Sequence, residues 1–195
     1  MLSLDLIAAE INKPYVVLIC KLALKKGGQV KVKLFSDVLL YCIIAFFIFK
    51  KAPVFWNNIQ NEGTKIGSSD YLRVGAQSLV TFPKIDSGKK IVIVWASWCG
   101  PCKVEMDRFK VAINENKIKR SNVFAISPFE SKEDVEQFLR DHQYPFTFLH
   151  GDGLIKELGL GVAPSLVYLN DHTVELITSG LSILPVLRAE LFLRD

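Results

Sequence analysis

Hydrophobic and polar positions divide this chain into three parts. Residues 38 to 49, VLLYCIIAFFIF, form one uncharged apolar run, and the residues from 52 to 78 are polar, contain glycines and lack a clear periodicity. From residue 79 onward, short apolar runs alternate with stretches of helical spacing. This pattern predicts an apolar helix, a linker and then a domain in which strands and helices alternate.

The strands and helices of the domain can be placed from these runs. KKIVIVWAS, residues 89 to 97, is typical of a strand covered on both faces, and Ser131 is placed to cap a later helix. The predicted strands are LVTF at an edge, KKIVIVWAS, SNVFAIS, FTFLH, and the hairpin of APSLVYLN with VELITSG around Asn170-Asp171. The predicted helices are residues 100 to about 118, SKEDVEQFLRDH, LIKELG and residues 183 to 193.

Charge is distributed unevenly along the chain. Six lysines against two acids give residues 1 to 33 a net charge of +4, which equals the net charge of all 195 residues. The part beyond Lys51 carries 16 basic and 17 acidic residues and offers no basic surface for nucleic acid. We therefore expect no nucleic-acid partner.

The apolar run is interpreted as a membrane anchor. Its twelve to sixteen residues are short against the roughly 20 that cross a bilayer, so a signal-peptide core and a buried helix of a soluble protein are the alternatives. The sequence FKKAPVFW contains no A-x-A-like cleavage site, and lysine stems at both ends can lengthen the span. Lysines are more numerous before the run than after it, which places the N-terminus in the cytoplasm and the domain outside.

Together, these patterns predict four regions. They are a basic cytoplasmic segment (residues 1 to 33), a transmembrane signal-anchor (34 to 51), a linker (52 to 74) and a folded domain (75 to 195).

The motif WCGPC lies where a buried strand meets a helix. Cys99 is therefore expected at the exposed N-terminus of the helix, with Cys102 one turn further on the same face. Free N–H groups and the helix dipole would lower the pKa of Cys99 from about 8.5 to between roughly 3.5 and 7.5. Pro101 fits the first helical turn, and Gly100 lets another backbone approach the sulfur. The motif predicts a thiol nucleophile that acts on protein substrates.

Other uses of a cysteine pair fit the sequence less well. A zinc site needs further ligands, but Cys20 and Cys42 lie before and inside the apolar run, and the three histidines show no ligand spacing. Haem attachment needs histidine after the second cysteine, where this chain has Lys103. A purely structural disulfide is geometrically possible, although such small-loop pairs are easily reduced. We expect no metal and no cofactor.

WCGPC after IVIVWAS, together with GVAPSLVYL, resembles the two signature stretches of thioredoxin-like proteins. With the anchor, the chain resembles the TlpA, ResA and DsbE group of membrane-tethered thiol-disulfide oxidoreductases of the bacterial cell envelope. Some of these serve cytochrome c maturation, and relatives associated with copper tolerance share the architecture. The resemblance implies a thioredoxin-like α/β fold with a central mixed sheet flanked by helices. It also implies a single-pass protein of the bacterial inner membrane whose domain lies on the periplasmic or outer face.

The resemblance implies roles for residues around the cysteines. Pro164, preceded by Ala163, matches a cis-proline whose neighbouring backbone pairs with an extended substrate peptide, and Trp98, Gly100 and Pro101 complete the substrate-binding set. The alternative for Pro164 is an ordinary proline that opens a strand.

Glu105 matches a glutamate that could move a proton to or from Cys102 in ResA-type proteins. A solvated surface glutamate on the flank of the helix is the alternative. The chain departs from the family at two positions: Ile93 stands where relatives have an acid or asparagine, and Asp107 replaces a helix-kinking proline. The first departure leaves Glu105 as the main candidate proton carrier.

The leading function is a disulfide reductase. Cys99 would attack a substrate disulfide and Cys102 would resolve the mixed disulfide. The Gly-Pro dipeptide favours a reducing potential, so the expected partners are protein thiol or disulfide substrates and a membrane electron donor. The alternatives are a disulfide oxidase and a binding or copper-handling module, although copper-assembly relatives use CxxxC with a distant histidine. A peroxidase lacks support, because such relatives place threonine before a lone reactive cysteine.

Overall fold

The structure is a computed structural model that describes residues 32 to 76, 78 to 83 and 88 to 194, with side chains from residue 38 onward. Most of the basic segment predicted at residues 1 to 33, and Cys20 with it, lies outside the described residues. The chain divides into two compact units, Met1–Lys50 and Lys51–Asp195.

The described elements alternate along the chain as the sequence predicts. The helices are α1 (Val32–Asn61), α2 (Gly100–Asn114), α3 (Lys132–Asp141), α4 (Gly153–Leu158) and α5 (Pro185–Arg194). The strands are β1 (Ser69–Arg73), β2 (Leu79–Phe82), β3 (Lys89–Val94), β4 (Val123–Ser127), β5 (Thr147–His150), β6 (Ser165–Asn170) and β7 (Thr173–Ser179).

Helix α1 contains the apolar run. Its stretch Val38–Asn61 has a mean hydropathy of 2.0, and none of its most apolar window is buried. By length and composition it could cross a membrane. The apolar helix is therefore a candidate membrane anchor.

The sheet has the order β2-β1-β5-β4-β3-β6-β7. Strands β3, β4 and β5 run parallel, and the other neighbours are antiparallel, which gives the predicted mixed sheet. Every residue of β4 is buried, and so is β3 after Lys89, because both strands lie in the middle of the sheet with cover on both faces. β2 is an edge strand, as predicted.

The core has one layer on each face of the sheet. Ile91, Ile93 and Trp95 belong to one layer, and Val92 and Val94 belong to the other, which follows the two-residue period of a strand. Helices α2, α3 and α5 contribute to the first layer, which includes Cys99 and Cys102, and α4 contributes to the second. The cysteines therefore lie at the border of the main hydrophobic core.

Residues 51 to 61 of α1, the docking segment, belong to the same unit as the sheet. Asn57 Nδ2 and Asn61 Nδ2 donate to the carbonyl of Leu158 at 3.0 and 2.8 Å. This carbonyl ends α4 and has no acceptor role within that helix. The docking segment therefore completes the C-terminus of α4.

The region predicted as a linker, residues 52 to 74, differs most from expectation. Helix α1 continues to Asn61, and β1 occupies Ser69–Arg73. The helix end contains Pro53 and three asparagines, and β1 buries only Tyr71 fully, so neither segment shows a clear apolar period. Their structure depends on contacts with the rest of the domain.

The segment after α1 pairs with the outer strand β7. Gly63 N donates to Val174 O at 2.7 Å, Val174 N to Thr64 O at 2.9 Å, and Ile66 N to His172 O at 2.8 Å. The N-terminal end of this edge is therefore covered. β2, the opposite edge, has only four residues.

Candidate active site

The WCGPC motif joins β3 to α2, as predicted. Cys99 is the N-cap of α2 with extended backbone (φ −86°, ψ 100°), and Pro101 lies in the first turn. Cys99 Sγ accepts a hydrogen bond from Cys102 N at 3.2 Å. The same N–H also donates to Cys99 O at 3.1 Å, so the sulfur shares an N–H of the first helical turn, which favours negative charge there.

Cys99 and Cys102 form a disulfide, with Cα atoms 5.3 Å apart. The expectation that Cys99 is exposed is wrong, because only 5% of its surface is accessible and Cys102 is fully buried. Both residues pack into the core layer that contains Trp95 and Phe109.

Exposed residues surround the buried disulfide. Trp98 is 69% exposed, and Gly100 and Pro101 are exposed beside it. A Cβ placed on Gly100 would meet no atom within 4 Å, so space for an approaching chain exists at this point.

The loop before β6 is brought to the same region. The Ala163–Pro164 peptide bond is cis. Ala163 packs against the core layer that contains both cysteines, and Pro164 O accepts from Gly180 N at 2.7 Å. Because Ser165 pairs with Val94, this loop lies beside the strand end that leads to Trp98 and Cys99, while its role in substrate binding stays a prediction.

Glu105 is fully buried. Its Oε1 accepts from Ser182 N at 2.7 Å, and its Oε2 lies 3.4 Å from Arg108 Nη1. Arg108 Nη1 also donates to Ser182 O at 3.0 Å. The surface alternative for Glu105 is wrong, because the loop after β7 covers the helix flank.

Tyr168, on β6, is a buried neighbour of this carboxylate. Its hydroxyl makes no hydrogen bond to any described residue. Burial raises the pKa of Tyr168 to about 12. The charge of Arg188 lowers this pKa, and the charge of Glu105 raises it, but burial has the largest effect. The phenol is therefore neutral throughout the physiological range.

Glu130 belongs to the site, although the sequence analysis did not select it. Its Oε1 accepts from Ser97 N at 2.7 Å and from Ser127 Oγ at 2.8 Å, and its Oε2 accepts from Ser97 Oγ. Its backbone oxygen lies 2.8 Å from His150 Nε2. A signal existed: β3 and β4 are parallel neighbours, so the residues that follow them meet at one edge of the sheet.

Among the described residues, no cluster of three or more His, Cys, Asp or Glu side chains could hold a metal ion.

The family model of the AhpC/TSA family matches residues 48–174, which is well over half of the chain. The chain belongs to the AhpC/TSA family. The matched stretch includes the cysteine pair, Glu105, Glu130 and the cis-proline.

This AhpC/TSA chain is similar to one curated protein and to several solved structures. It is 29% identical over 111 residues to the thiol-disulfide oxidoreductase ResA of Oceanobacillus iheyensis, a match that covers 55% of this chain and 58% of ResA. The crystal structure of StoA from Bacillus subtilis superposes with a TM-score of 0.53 at 19% identity, covering 65% of this chain and 96% of StoA. A thio-disulfide isomerase from Thermus thermophilus gives a TM-score of 0.53 at 21% identity, covering 68% of this chain and 95% of that one. The fold is therefore thioredoxin-like, as the sequence resemblance implies.

Proposed function

We propose that this chain is a thiol-disulfide oxidoreductase that reduces protein disulfides through Cys99 and Cys102, and that α1 tethers it to the bacterial inner membrane. The observation that carries the proposal is the position of Cys99 Sγ at the N-cap of α2, where it accepts the N–H of Cys102 at 3.2 Å. In the reduced protein this donor stabilises a thiolate. The ResA relative supports the same chemistry.

The reaction has two exchange steps. The Cys99 thiolate attacks one sulfur of the substrate disulfide, forms a mixed disulfide and releases the first substrate thiolate. The Cys102 thiolate then attacks the Cys99 sulfur, forms the Cys99–Cys102 disulfide and releases the second substrate thiolate. Two electrons pass to the substrate, and its two thiolates take up protons. A dithiol donor restores the reduced pair by the reverse sequence of steps.

Substrate binding falls to the residues around the pair. An extended peptide would lie against Trp98, Gly100 and Pro101 and pair with the backbone at Ala163–Pro164, where exposed surface adjoins the buried sulfurs. Glu105, three residues after Cys102, is proposed to exchange a proton with the Cys102 thiol.

The proposed direction is reduction of the substrate. Gly-Pro between the cysteines accompanies a moderately lowered thiol pKa, whereas strong oxidants stabilise the thiolate much further. Neither charged neighbour is proposed to stabilise the thiolates further. Lys103 follows the cysteines, and its Nζ lies over the Phe138 ring, 5.1 Å from the ring centroid. The negative charge of the buried Glu105 carboxylate opposes the formation of a second thiolate.

The proposed location is the extracytoplasmic side of the membrane. The lysine asymmetry around the apolar run supports this orientation. A reductant outside the cytoplasm must receive its electrons across the membrane, so we propose a membrane dithiol as the donor. The tether would keep the domain beside that donor.

Three serine variants test the proposal in the full chain. We expect Cys99→Ser to abolish reduction of insulin disulfides, Cys102→Ser to accumulate mixed disulfides, and the control Cys42→Ser to behave as the wild type. Equilibration with glutathione measures the direction. A potential near about −120 mV, together with a mainly oxidised pair in cells, would make the protein an oxidase. Undiminished insulin reduction by Cys99→Ser would contradict the proposed chemistry altogether.

A further inference from the structure

Three buried or half-buried polar side chains connect the docking segment to the loop that contains Pro164. Asn58 is 7% exposed and Ser165 is fully buried. Asn58 Nδ2 lies 3.2 Å from Ser179 Oγ, Ser179 Oγ lies 3.0 Å from Ser165 Oγ, and Ser165 Oγ lies 2.7 Å from Val162 O. Buried polar groups are stable only when they are paired, so this chain of hydrogen bonds is fixed by the fold.

Counting hydrogen atoms gives the chain a direction. A carbonyl can only accept, so the single hydroxyl hydrogen of Ser165 points to Val162 O, and Ser165 Oγ must accept from Ser179. The single hydrogen of Ser179 is then used, so Asn58 Nδ2 is the donor to Ser179 Oγ. The contact of 3.3 Å from Ser179 Oγ to Asn58 Oδ1 would need the same hydrogen and does not form at the same time. The Val162 carbonyl therefore sets the orientation of both hydroxyls, and the Asn58 amide completes the hydrogen-bond chain as the donor at its far end.

The chain of hydrogen bonds from Asn58 ends on the loop from residue 162 to residue 164. Its first carbonyl, Val162 O, is held by Ser165, and its last, Pro164 O, is held by Gly180 N at 2.7 Å. Ser165 and Ser179 also face each other across β6 and β7. Both ends of the loop are thus fixed, one through side chains that lead back to Asn58.

We propose that Asn58 is a positioning residue for substrate binding: through Ser179 and Ser165 it holds the Val162–Pro164 backbone in the geometry that receives the peptide. The inference rests on the proposed function, since it takes this loop as the substrate-binding backbone. The helix that is a candidate anchor then has a second task, because its last turns support part of the active site.

The docking segment contains its own controls. Asn57 and Asn61 are on the same helix and are also asparagines, but both donate to Leu158 O at the end of α4. Replacing Asn61 weakens the attachment of the segment without removing a member of the chain. A role that is only structural would make Asn58 and Asn61 equivalent.

The test uses the full chain in detergent micelles, with dithiothreitol as electron source and insulin as the disulfide substrate. The variants are Asn58→Ala, Ser179→Ala, their combination, the conservative Ser179→Thr and the control Asn61→Ala. The measurements are KM and kcat for insulin, the rate at which dithiothreitol alone reduces the Cys99–Cys102 disulfide, and thermal unfolding. Ser179→Ala keeps the test decisive if Asn58→Ala does not fold.

We expect Asn58→Ala and Ser179→Ala each to raise KM about threefold to tenfold, the effect of one lost hydrogen bond, with kcat nearly unchanged. The KM of the double variant should be no higher than that of either single variant, because both substitutions break the same chain of hydrogen bonds. Ser179→Thr and Asn61→Ala should retain the wild-type KM, and the dithiothreitol rate should be the same in all variants, since a small thiol does not use the loop.

The inference would be overturned by an unchanged KM in Asn58→Ala, by the same rise of KM in Asn61→Ala, or by an equal loss of the reduction rate with dithiothreitol. If the rises in KM of the two single variants added up in the double variant, Asn58 and Ser179 would not act through the same chain of hydrogen bonds. A wild-type protein that does not reduce insulin would refute the proposed function and this inference with it. An active wild type with an unchanged Asn58→Ala refutes the inference alone.

Discussion

At the scale of single residues, Glu105 shows how a charged side chain is kept inside this domain. A buried carboxylate needs partners for its oxygens, and here Ser182 N and Arg108 provide them. Arg108 also binds Ser182 O, so the N–H and the C=O of one residue are held from the same helix. The sequence placed Glu105 on the flank of α2 correctly. It could not reveal the burial, because the covering loop comes more than 70 residues later in the chain.

Glu105→Gln separates proton transfer from positioning. Glutamine keeps an oxygen that can accept from Ser182 N, so the free energy of unfolding should fall by no more than about 1 kcal/mol. If the carboxyl exchanges a proton with Cys102, turnover at neutral pH should fall at least about tenfold and its pH dependence should change. The measurement is a pH profile of insulin reduction beside denaturant unfolding. An unaltered profile would leave Glu105 with the loop contact only.

At the scale of elements, one carboxylate joins the ends of two strands beside the site. Glu130 follows β4 and binds Ser97, which follows β3, as well as Ser127 at the end of β4. The loop that leads into Trp98 and Cys99 is therefore held by a residue 33 positions away along the chain. A local motif search finds WCGPC and misses Glu130, because their proximity arises only from the parallel pairing of β3 and β4.

Glu130→Ala should loosen this loop. The loss of three hydrogen bonds to a carboxylate should lower the free energy of unfolding by about 2 to 3 kcal/mol and slow the reaction of Cys99 with insulin. Glu136→Ala is the matched control. Among the described residues Glu136 on α3 makes only an ion pair with Lys132 at 3.3 Å, so its replacement should lower the free energy of unfolding by about 0.5 kcal/mol or less. Urea unfolding and thiol kinetics check both variants. If Glu130→Ala and Glu136→Ala lowered the free energy of unfolding equally, the hydrogen bonds from Glu130 to the loop before Cys99 would contribute no more than a surface ion pair.

The same scale shows which elements a sequence can specify. β3 and β4 are buried strands whose apolar runs identify them, and the Ser131 cap of α3 is present, with Ser131 Oγ accepting from Asp134 N at 3.2 Å. β1 and the docking segment were missed because tertiary contacts, rather than an apolar period, stabilise them. Helix α2 also ends at Asn114, earlier than its predicted end near residue 118.

At the scale of the whole molecule, the chain combines an apolar helix with a thioredoxin-like domain of nearly neutral charge. The division between Met1–Lys50 and Lys51–Asp195 lies close to the predicted end of the anchor at residue 51. The boundaries at residues 33, 51 and 74 remain predictions as domain limits, since hydropathy shows where an apolar run ends and not what surrounds it.

The anchor can be tested on membranes. We expect the full chain to resist carbonate extraction, because an apolar helix of this length is stable in the bilayer, and residues 52 to 195 alone to be soluble. Protease added outside intact spheroplasts should digest the domain if it lies on the outer side. Recovery of a freely soluble, shortened form from cells would instead identify the apolar run as a cleaved signal peptide.

The two outer strands of the sheet matter for a protein whose proposed clients are extended chains. Residues 63 to 66 cover the N-terminal end of β7, and β2 is only four residues long before Pro83. Open strand edges recruit other strands without regard to their sequence and promote aggregation. A short β2 and a partly covered β7 leave less free edge for self-association or for co-aggregation with misfolded clients. Clients would then engage at the loop beside the cysteines and depart once their disulfide has been exchanged.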